Sequence, residues 1–201
     1  MRISSALRRE QLVDATMEIM QETGVQSVTM REVAKRAKSS LAAVHYCFRD
    51  KDELVHAAVE RWIHEMVPDS IRSAGSVGVR AAVRDILDAW WEGLEKVPQN
   101  AQAQFELFLW AVRTGSRVGQ SMYPLYLSAI DLVLNEAQQA ARETCDWDLI
   151  TIARSLLVIV DGCSFQYFND PAGSGAKALS YEMAEAIFDR AHVKVRLDKS
   201  R

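Results

Sequence analysis

SVTMREVAKRAKSSLAAVHYCFRDKDEL, residues 27–54, reads as two short helices joined by a tight turn, followed by the start of a third. Thr29-Met-Arg-Glu32 has capping-box spacing: the threonine hydroxyl accepts from the Glu32 amide and the carboxylate reaches back to the Thr29 amide. The helix it opens ends near Ala37. The next begins within three residues, capped by Ser39 or Ser40, and runs to about Cys47. Asp50-Lys-Asp-Glu53 repeats the capping box and opens a further helix that continues to Val67, where Pro68 ends it. Two helices in this order are the layout of a helix-turn-helix, whose first helix crosses the DNA backbone and whose second enters the major groove.

The side chains fit that use. Arg31, Lys35, Arg36, Lys38, Arg49 and Lys51 face only Glu32 and Asp50 across residues 29–51, a local charge of +4 in a chain whose net charge is −3. The balance excludes a general nucleic-acid coat and leaves a focal basic element. On the second helix Ser40, Ala42 and Ala43 are small enough for the backbone to approach DNA closely. Leu41 suits a thymine methyl group, and His45 and Tyr46 can stack on sugar or donate to phosphate oxygens. Val44 and Phe48 point inward. Thr29 and Arg31 open the first helix, and Lys38 and Ser39 lie in the turn. Lys51 sits in the first turn of the fourth helix, where free amides and the helix dipole favour a phosphate. With no Arg, Asn or Gln on the second helix, affinity is expected from phosphates and specificity from a few groups plus DNA shape.

The rest of the chain carries helical periodicity and no convincing strand. A first helix is expected from about Leu7 to Thr23, stopped by Gly24. Residues 68–78 (PDSIRSAGSVG) are the clearest shift in composition and mark the expected boundary: a helix-turn-helix domain at 1–54, a linking helix at about 51–67, and a second domain at 68–201. Five further helices are expected at roughly 79–97, 99–113, 116–144, 148–169 and 174–195. The residues from Lys194 onward are expected to fray. Apolar runs such as Leu156–Val160 are far too short to cross a bilayer, and no secretory signal is visible, so a cytoplasmic protein without a membrane partner is expected. The scattered Cys47, Cys145 and Cys163 suit free thiols in a reducing compartment. His56, Glu60 and His64 share one helix face, which a solvated face explains more simply than a metal site. No metal, cofactor or catalytic constellation is predicted, and an all-helical enzyme stays a remote alternative.

At Thr29-x-x-Glu32-Val33-Ala34, Ser40-x-Ala42-x-Val44-x-Tyr46-x-Phe48 and Lys51-x-Glu53-Leu54, residues 9–67 resemble the N-terminal domain of TetR-family transcriptional regulators. Arg8–Thr16 and His45–Leu54 resemble the betaine-synthesis repressor branch most. The resemblance implies an all-α fold: a three-helix helix-turn-helix domain, then a helical domain for effector binding and dimerisation. It implies a ligand-responsive repressor that binds a palindromic double-stranded DNA operator as a homodimer. A regulator without an effector is the alternative. The sequence departs from the family pattern in three places: the usual Gly-Val of the turn is Lys38-Ser39, the usual Gly of the reading helix is Ala42, and the first of the usual aromatic pair is His45.

The helix at 148–169 is apolar almost all round and must be enclosed. Packed with the last helix against a symmetry mate it would form a four-helix interface, with Leu156, Ile159, Cys163, Tyr167, Met183, Ile187 and Phe188 as its candidates. Trp90, Trp91, Phe105, Phe108, Trp110, Tyr123 and Tyr126 are candidates for a pocket holding a small apolar or cationic effector, with Glu106 or Glu92 as the carboxylate of an aromatic cage.

Overall fold

The computed structural model describes residues 4–66 and 76–195. Pro68, most of the 68–78 segment and the chain beyond Val195 lie outside them. The described residues form helices α1 (Ser5–Thr23), α2 (Met30–Arg36), α3 (Leu41–Cys47), α4 (Lys51–Met66), α5 (Val79–Lys96), α6 (Pro98–Thr114), α7 (Arg117–Ala141), α8 (Leu149–Asn169) and α9 (Ala176–Ala191). A 3-10 turn, Val25–Ser27, follows α1. The all-helical architecture is the one the sequence predicts, and the helix bounds fall within a few residues of those expected.

Two compact units emerge, and neither is one continuous stretch. Residues 1–66 and 96–126 form the first; residues 67–95 and 127–201 form the second. The first break falls beside the expected boundary at 68. The expectation places everything beyond that boundary in one domain; in the contact grouping α6 and the start of α7 fall with the helix-turn-helix. The physical reason is burial: α6 is apolar over most of its circumference, with Ala101, Phe105, Leu107, Trp110 and Ala111 all enclosed, and it packs on α1 and the 3-10 turn.

In the first unit, the Ser4 hydroxyl caps α1 by accepting from the Leu7 amide at 3.2 Å. Its buried stripe is Leu12, Val13, Ala15, Thr16, Ile19 and Met20. Thr16 is tolerated there because its hydroxyl donates to the Leu12 carbonyl at 2.7 Å. Gly24 ends the helix at φ 79°, donating its N–H to the Met20 carbonyl. A Cβ at Gly24 would meet only the mobile end of the exposed Glu106 side chain, so the positive φ is what calls for glycine.

In the second unit, Asp148 caps α8 by accepting from the Thr151 amide at 2.9 Å. Helix α8 packs along α9, burying Leu156, Ile159 and Cys163 on one side and Ala184 and Phe188 on the other. Helix α5 joins them through two tryptophans. The indole N–H of Trp91, buried, donates to Ser180 Oγ at 2.9 Å, and that of Trp90 donates to Ser164 Oγ at 3.0 Å. Outside these, Arg84 pairs with Glu185 at 2.6 Å and Lys177 with Glu95 at 2.7 Å.

Two expectations need correction. Helix α7 stops at Ala141 and α9 at Ala191, and Glu143–Thr144 pairs antiparallel with Lys194–Val195. Arg142 and His192 turn the chain into these short strands at φ 52° and 46°. A two-residue strand is too short to show alternation, so the sequence concealed it. The other concerns apolar length, since the span of α8 itself is the one expected. Its 21 residues and mean hydropathy of 1.5 would suffice to cross a bilayer, although no single apolar run does. Half of that apolar window is buried within the fold, which is how a core helix passes the same test.

Ser180→Ala leaves the Trp91 N–H buried without an acceptor. Chemical denaturation is expected to show a loss of about 1–3 kcal/mol. A cost below a few tenths of a kcal/mol would mean the indole finds another partner.

Candidate nucleic-acid interface

The Thr29 hydroxyl caps α2, accepting from the Glu32 amide at 3.1 Å. The reciprocal half of the expected capping box is not made: the Glu32 carboxylate turns to Lys35, 3.8 Å away. Helix α2 ends in a Schellman motif. The Lys38 amide donates to the Lys35 carbonyl at 3.1 Å and the Ser39 amide to the Ala34 carbonyl at 2.8 Å. That closure needs a left-handed residue, and Lys38 supplies it at φ 50°. The glycine that the family pattern carries in this turn thus has a conformational cause, and Lys38 takes up the same conformation at a cost. Ser40, rather than Ser39, caps α3, accepting from the Ala43 amide at 3.1 Å.

Helix α3 presents Ala42, His45 and Tyr46 to solvent, with Tyr46 79% exposed. Leu41 and Ala43 are half-buried, while Val44 and Phe48 are fully enclosed. A side chain from α1 fixes the far end of this helix. Arg9 donates to the Cys47 carbonyl at 2.8 Å and lies over the Phe48 ring, 4.1 Å from its centroid. It reaches across from α1, and local sequence carries no trace of such a contact.

The basic cluster is smaller than its composition. Arg36 is held by Glu18 at 3.2 Å and Glu22 at 2.7 Å, and its hydrogen bond pushes the Glu22 carboxyl below the ordinary range. Arg49 is held by Glu53 at 3.0 Å. In that second cap Asp50 accepts from the Glu53 amide as expected, but the Glu53 carboxylate accepts from the Arg49 amide instead of the Asp50 amide. Lys51 is also engaged. Its ammonium donates to the Val25 carbonyl at 2.8 Å and lies 5.2 Å from the centre of the Trp110 ring, and burial pushes its pKa down. It is half-buried, and these contacts tie it to the fold of the first unit. Arg31 and Lys38 are exposed and make no ion pair among the described residues. Lys35 is largely solvated beside Glu32.

The effector candidates divide between the units. Phe108 stacks on Tyr123 at 5.0 Å and lies 6.2 Å from Tyr126 and 6.4 Å from Phe105, an aromatic cluster wholly within the first unit. Glu106 is exposed and turned against Gly24, so it does not supply the carboxylate of a cage. Trp110 lies beneath Lys51. Trp90, Trp91 and Glu92 belong to the second unit, and both indoles already have acceptors. Sequence reasoning missed Gln104, which is 4% exposed and whose Oε1 has no hydrogen-bond partner. An open recess of about 380 Å³ in the first unit is lined by Arg49, Asp52, Glu53, His56, Arg117, Gln120 and Ser121, none of them an expected effector contact. His56 faces Glu60 at 3.6 Å. No group of three or more metal-binding side chains occurs among the described residues.

The dimer candidates also divide. Leu156, Ile159, Cys163 and Phe188 are enclosed within their own subunit and have no surface to offer a partner. Tyr167 and Ile187 are half-buried, and Met183 is exposed. On α8 the outward stripe carries Val158 and Phe165, offset from the expected residues by the 3.6-residue period.

A family model described as bacterial regulatory proteins, tetR family, matches residues 12–58. The chain is 38% identical over 193 residues to the HTH-type nicotine-responsive transcriptional repressor HdnoR of Paenarthrobacter nicotinovorans, spanning 94% of this chain and 98% of that one. It is 34% identical over 85 residues to the HTH-type transcriptional regulator BetI of Burkholderia thailandensis, 41% of this chain and 44% of that one. Among solved structures, a TetR transcription regulator from Haloarcula marismortui superposes with a TM-score of 0.68 at 22% identity, covering 94% of this chain and 100% of that one. The multidrug binding protein EbrR complexed with ethidium superposes with a TM-score of 0.70 at 18% identity, covering 90% and 97%.

Two substitutions separate fold from binding. Lys38→Gly relieves the left-handed lysine, so stability should rise by about 0.5–1 kcal/mol. The same change should weaken DNA binding and flatten its salt dependence by about 2 in a dimer, one phosphate contact per chain. Lys51→Ala should do the reverse: stability falls by about 1–2 kcal/mol while the salt slope holds. Denaturant melts paired with DNA titrations over a salt series read both. A Lys51→Ala protein of normal stability and shallower slope would return that residue to the interface.

Proposed function

The chain belongs to the tetR family of bacterial regulatory proteins, and on that premise we propose that it is a repressor released from a palindromic operator by a small-molecule effector. It is a DNA-binding transcriptional regulator and not an enzyme. The observation that carries the proposal is the make-up of the first unit. The reading helix α3, its supports α1 and α2, and the aromatic cluster of α6 and α7 belong to one compact body. A ligand that moves α6 acts on α1 and the 3-10 turn without an intermediary.

DNA contact is assigned to Thr29, Arg31, Lys38, Ser39, Ser40, Leu41, Ala42, His45 and Tyr46. The capped N-termini of α2 and α3 offer amides to phosphates, Arg31 and Lys38 offer charge, and the exposed face of α3 offers Ala42, His45 and Tyr46 to the groove. The dimer is assigned to the outward stripes of α8 and α9, where Val158, Phe165 and Met183 are exposed apolar side chains beside the half-buried Tyr167 and Ile187. Such a patch is self-complementary under two-fold symmetry. A cytoplasmic location belongs to the same proposal, since a repressor acts where the DNA is.

The effector is assigned to Phe105, Phe108, Tyr123 and Tyr126. The relative from P. nicotinovorans is nicotine-responsive by name. Nicotine joins an aromatic ring to a basic amine, the kind of molecule that aromatic faces attract. A small apolar or cationic effector follows for this chain.

Titration of the purified protein onto the DNA upstream of its own gene, over a salt series, tests the DNA assignment. Arg31 and Lys38, with or without Lys35, give a dimer a log–log slope of about −4 to −5; all six basic residues per chain would give about −11. A slope near zero, or no binding, rejects the regulator. Sedimentation of a Val158→Glu, Met183→Glu protein tests the dimer: monomers with an unchanged helical spectrum are expected, and an intact dimer moves the interface elsewhere.

A further inference from the structure

Gln104 lies on α6 one turn before Phe108, so the two side chains share one face of the helix. A helical side chain leans toward the N-terminus, which carries the Phe108 ring back over the turn that Gln104 occupies. Gln104 is almost fully buried, yet its Oε1 accepts nothing. An acceptor withdrawn from water and left without a donor is costly, and the great majority of such groups are satisfied. The other enclosed residues of α6 are Ala, Phe, Leu and Trp, so this amide is the polar exception among them.

The missing partner can be specified. It must bring a hydrogen-bond donor, because Oε1 only accepts. It must also suit the stacked faces of Phe108 and Tyr123 and the nearby Tyr126, which carry negative potential and attract cations. A neutral alcohol would satisfy Oε1 and gain little from the rings. A quaternary ammonium would gain from the rings but has no N–H to give. A protonated amine satisfies both. Glu106, turned to Gly24, leaves the neutral amide as the acceptor that α6 offers beside these rings.

We propose that Gln104 is the hydrogen-bond acceptor of the effector site and that the effector is a protonated amine bearing an N–H on an apolar body, as distinct from a quaternary ammonium. The proposal rests on the assignment of the aromatic cluster as the effector site.

Calorimetric titration with two matched probes tests it: N,N-dimethylbenzylamine, protonated at neutral pH, and benzyltrimethylammonium, its N–H-free counterpart. The wild-type chain should bind the first at least about tenfold more tightly, the worth of one charge-assisted hydrogen bond. Gln104→Leu should abolish that preference and raise the melting temperature of the ligand-free protein, since an unpaired buried acceptor is removed. Phe108→Leu should weaken both probes alike. Equal affinity of wild type for both probes, with both weakened by Phe108→Leu, overturns the role of Gln104 and leaves the effector site standing. Binding of neither probe at millimolar concentration, or binding indifferent to Phe108→Leu, overturns both. A Gln104→Leu protein that melts earlier than wild type shows the amide has a partner in the fold and also overturns the role.

Discussion

The carbonyl of Val25 and the ammonium of Lys51 meet at 2.8 Å, and much of the first unit turns on that contact. Val25 opens the 3-10 turn after α1, Lys51 opens α4, and the Trp110 ring beneath the ammonium belongs to α6. One cation therefore ties three helices at a point where the backbone has just been freed by Gly24. A charge withdrawn partly from water is stabilised by such partners, a carbonyl and an aromatic face. The placement of α2 and α3 rests on their packing against α1 and each other and on the Arg9 contact at the end of α3.

Charge in the reading head is spent mainly on assembly. Arg36 joins α2 to α1, Arg49 closes the cap of α4, and Lys51 sits at the joint. A basic patch counted from composition overstates what is available to phosphates, because each of these cations already has an acceptor. The remaining positive groups lie on or just after α2, so the non-specific attraction is carried by the helix that crosses the backbone. The reading helix itself is nearly uncharged. Discrimination then depends on fit, through the small Ala42 and the exposed His45 and Tyr46.

Much of this was legible in the sequence, and what was not has physical causes. Thr29 and Ser40 cap their helices because capping is local, decided within three residues. The helix count and bounds follow from periodicity, which is also local. The loss of Lys51 to the fold depended on Val25 and Trp110, partners 26 and 59 residues away in sequence. The dimer candidates were drawn from the most apolar residues of α8 and α9, and four of them, Leu156, Ile159, Cys163 and Phe188, are kept by the subunit for its own core. The effector candidates were drawn by residue type, which cannot tell an indole with an acceptor, such as Trp91, from a ring stacked on another, such as Phe108. Gln104 escaped notice because a glutamine is unremarkable until its surroundings are known.

The chain order of the first unit has a consequence for how the protein is made. Its two segments, 1–66 and 96–126, are separated by α5, which belongs to the other unit. A ribosome that has released the helix-turn-helix has not yet supplied the α6 face that covers Val25 and Lys51. Until Trp110 emerges, the ammonium lacks its ring and the apolar residues of the 3-10 turn lack their cover. The reading head therefore reaches its final form only after α6 has been synthesised, and it cannot be cut out intact without that helix. DNA recognition matures late in synthesis, although the residues that perform it come first.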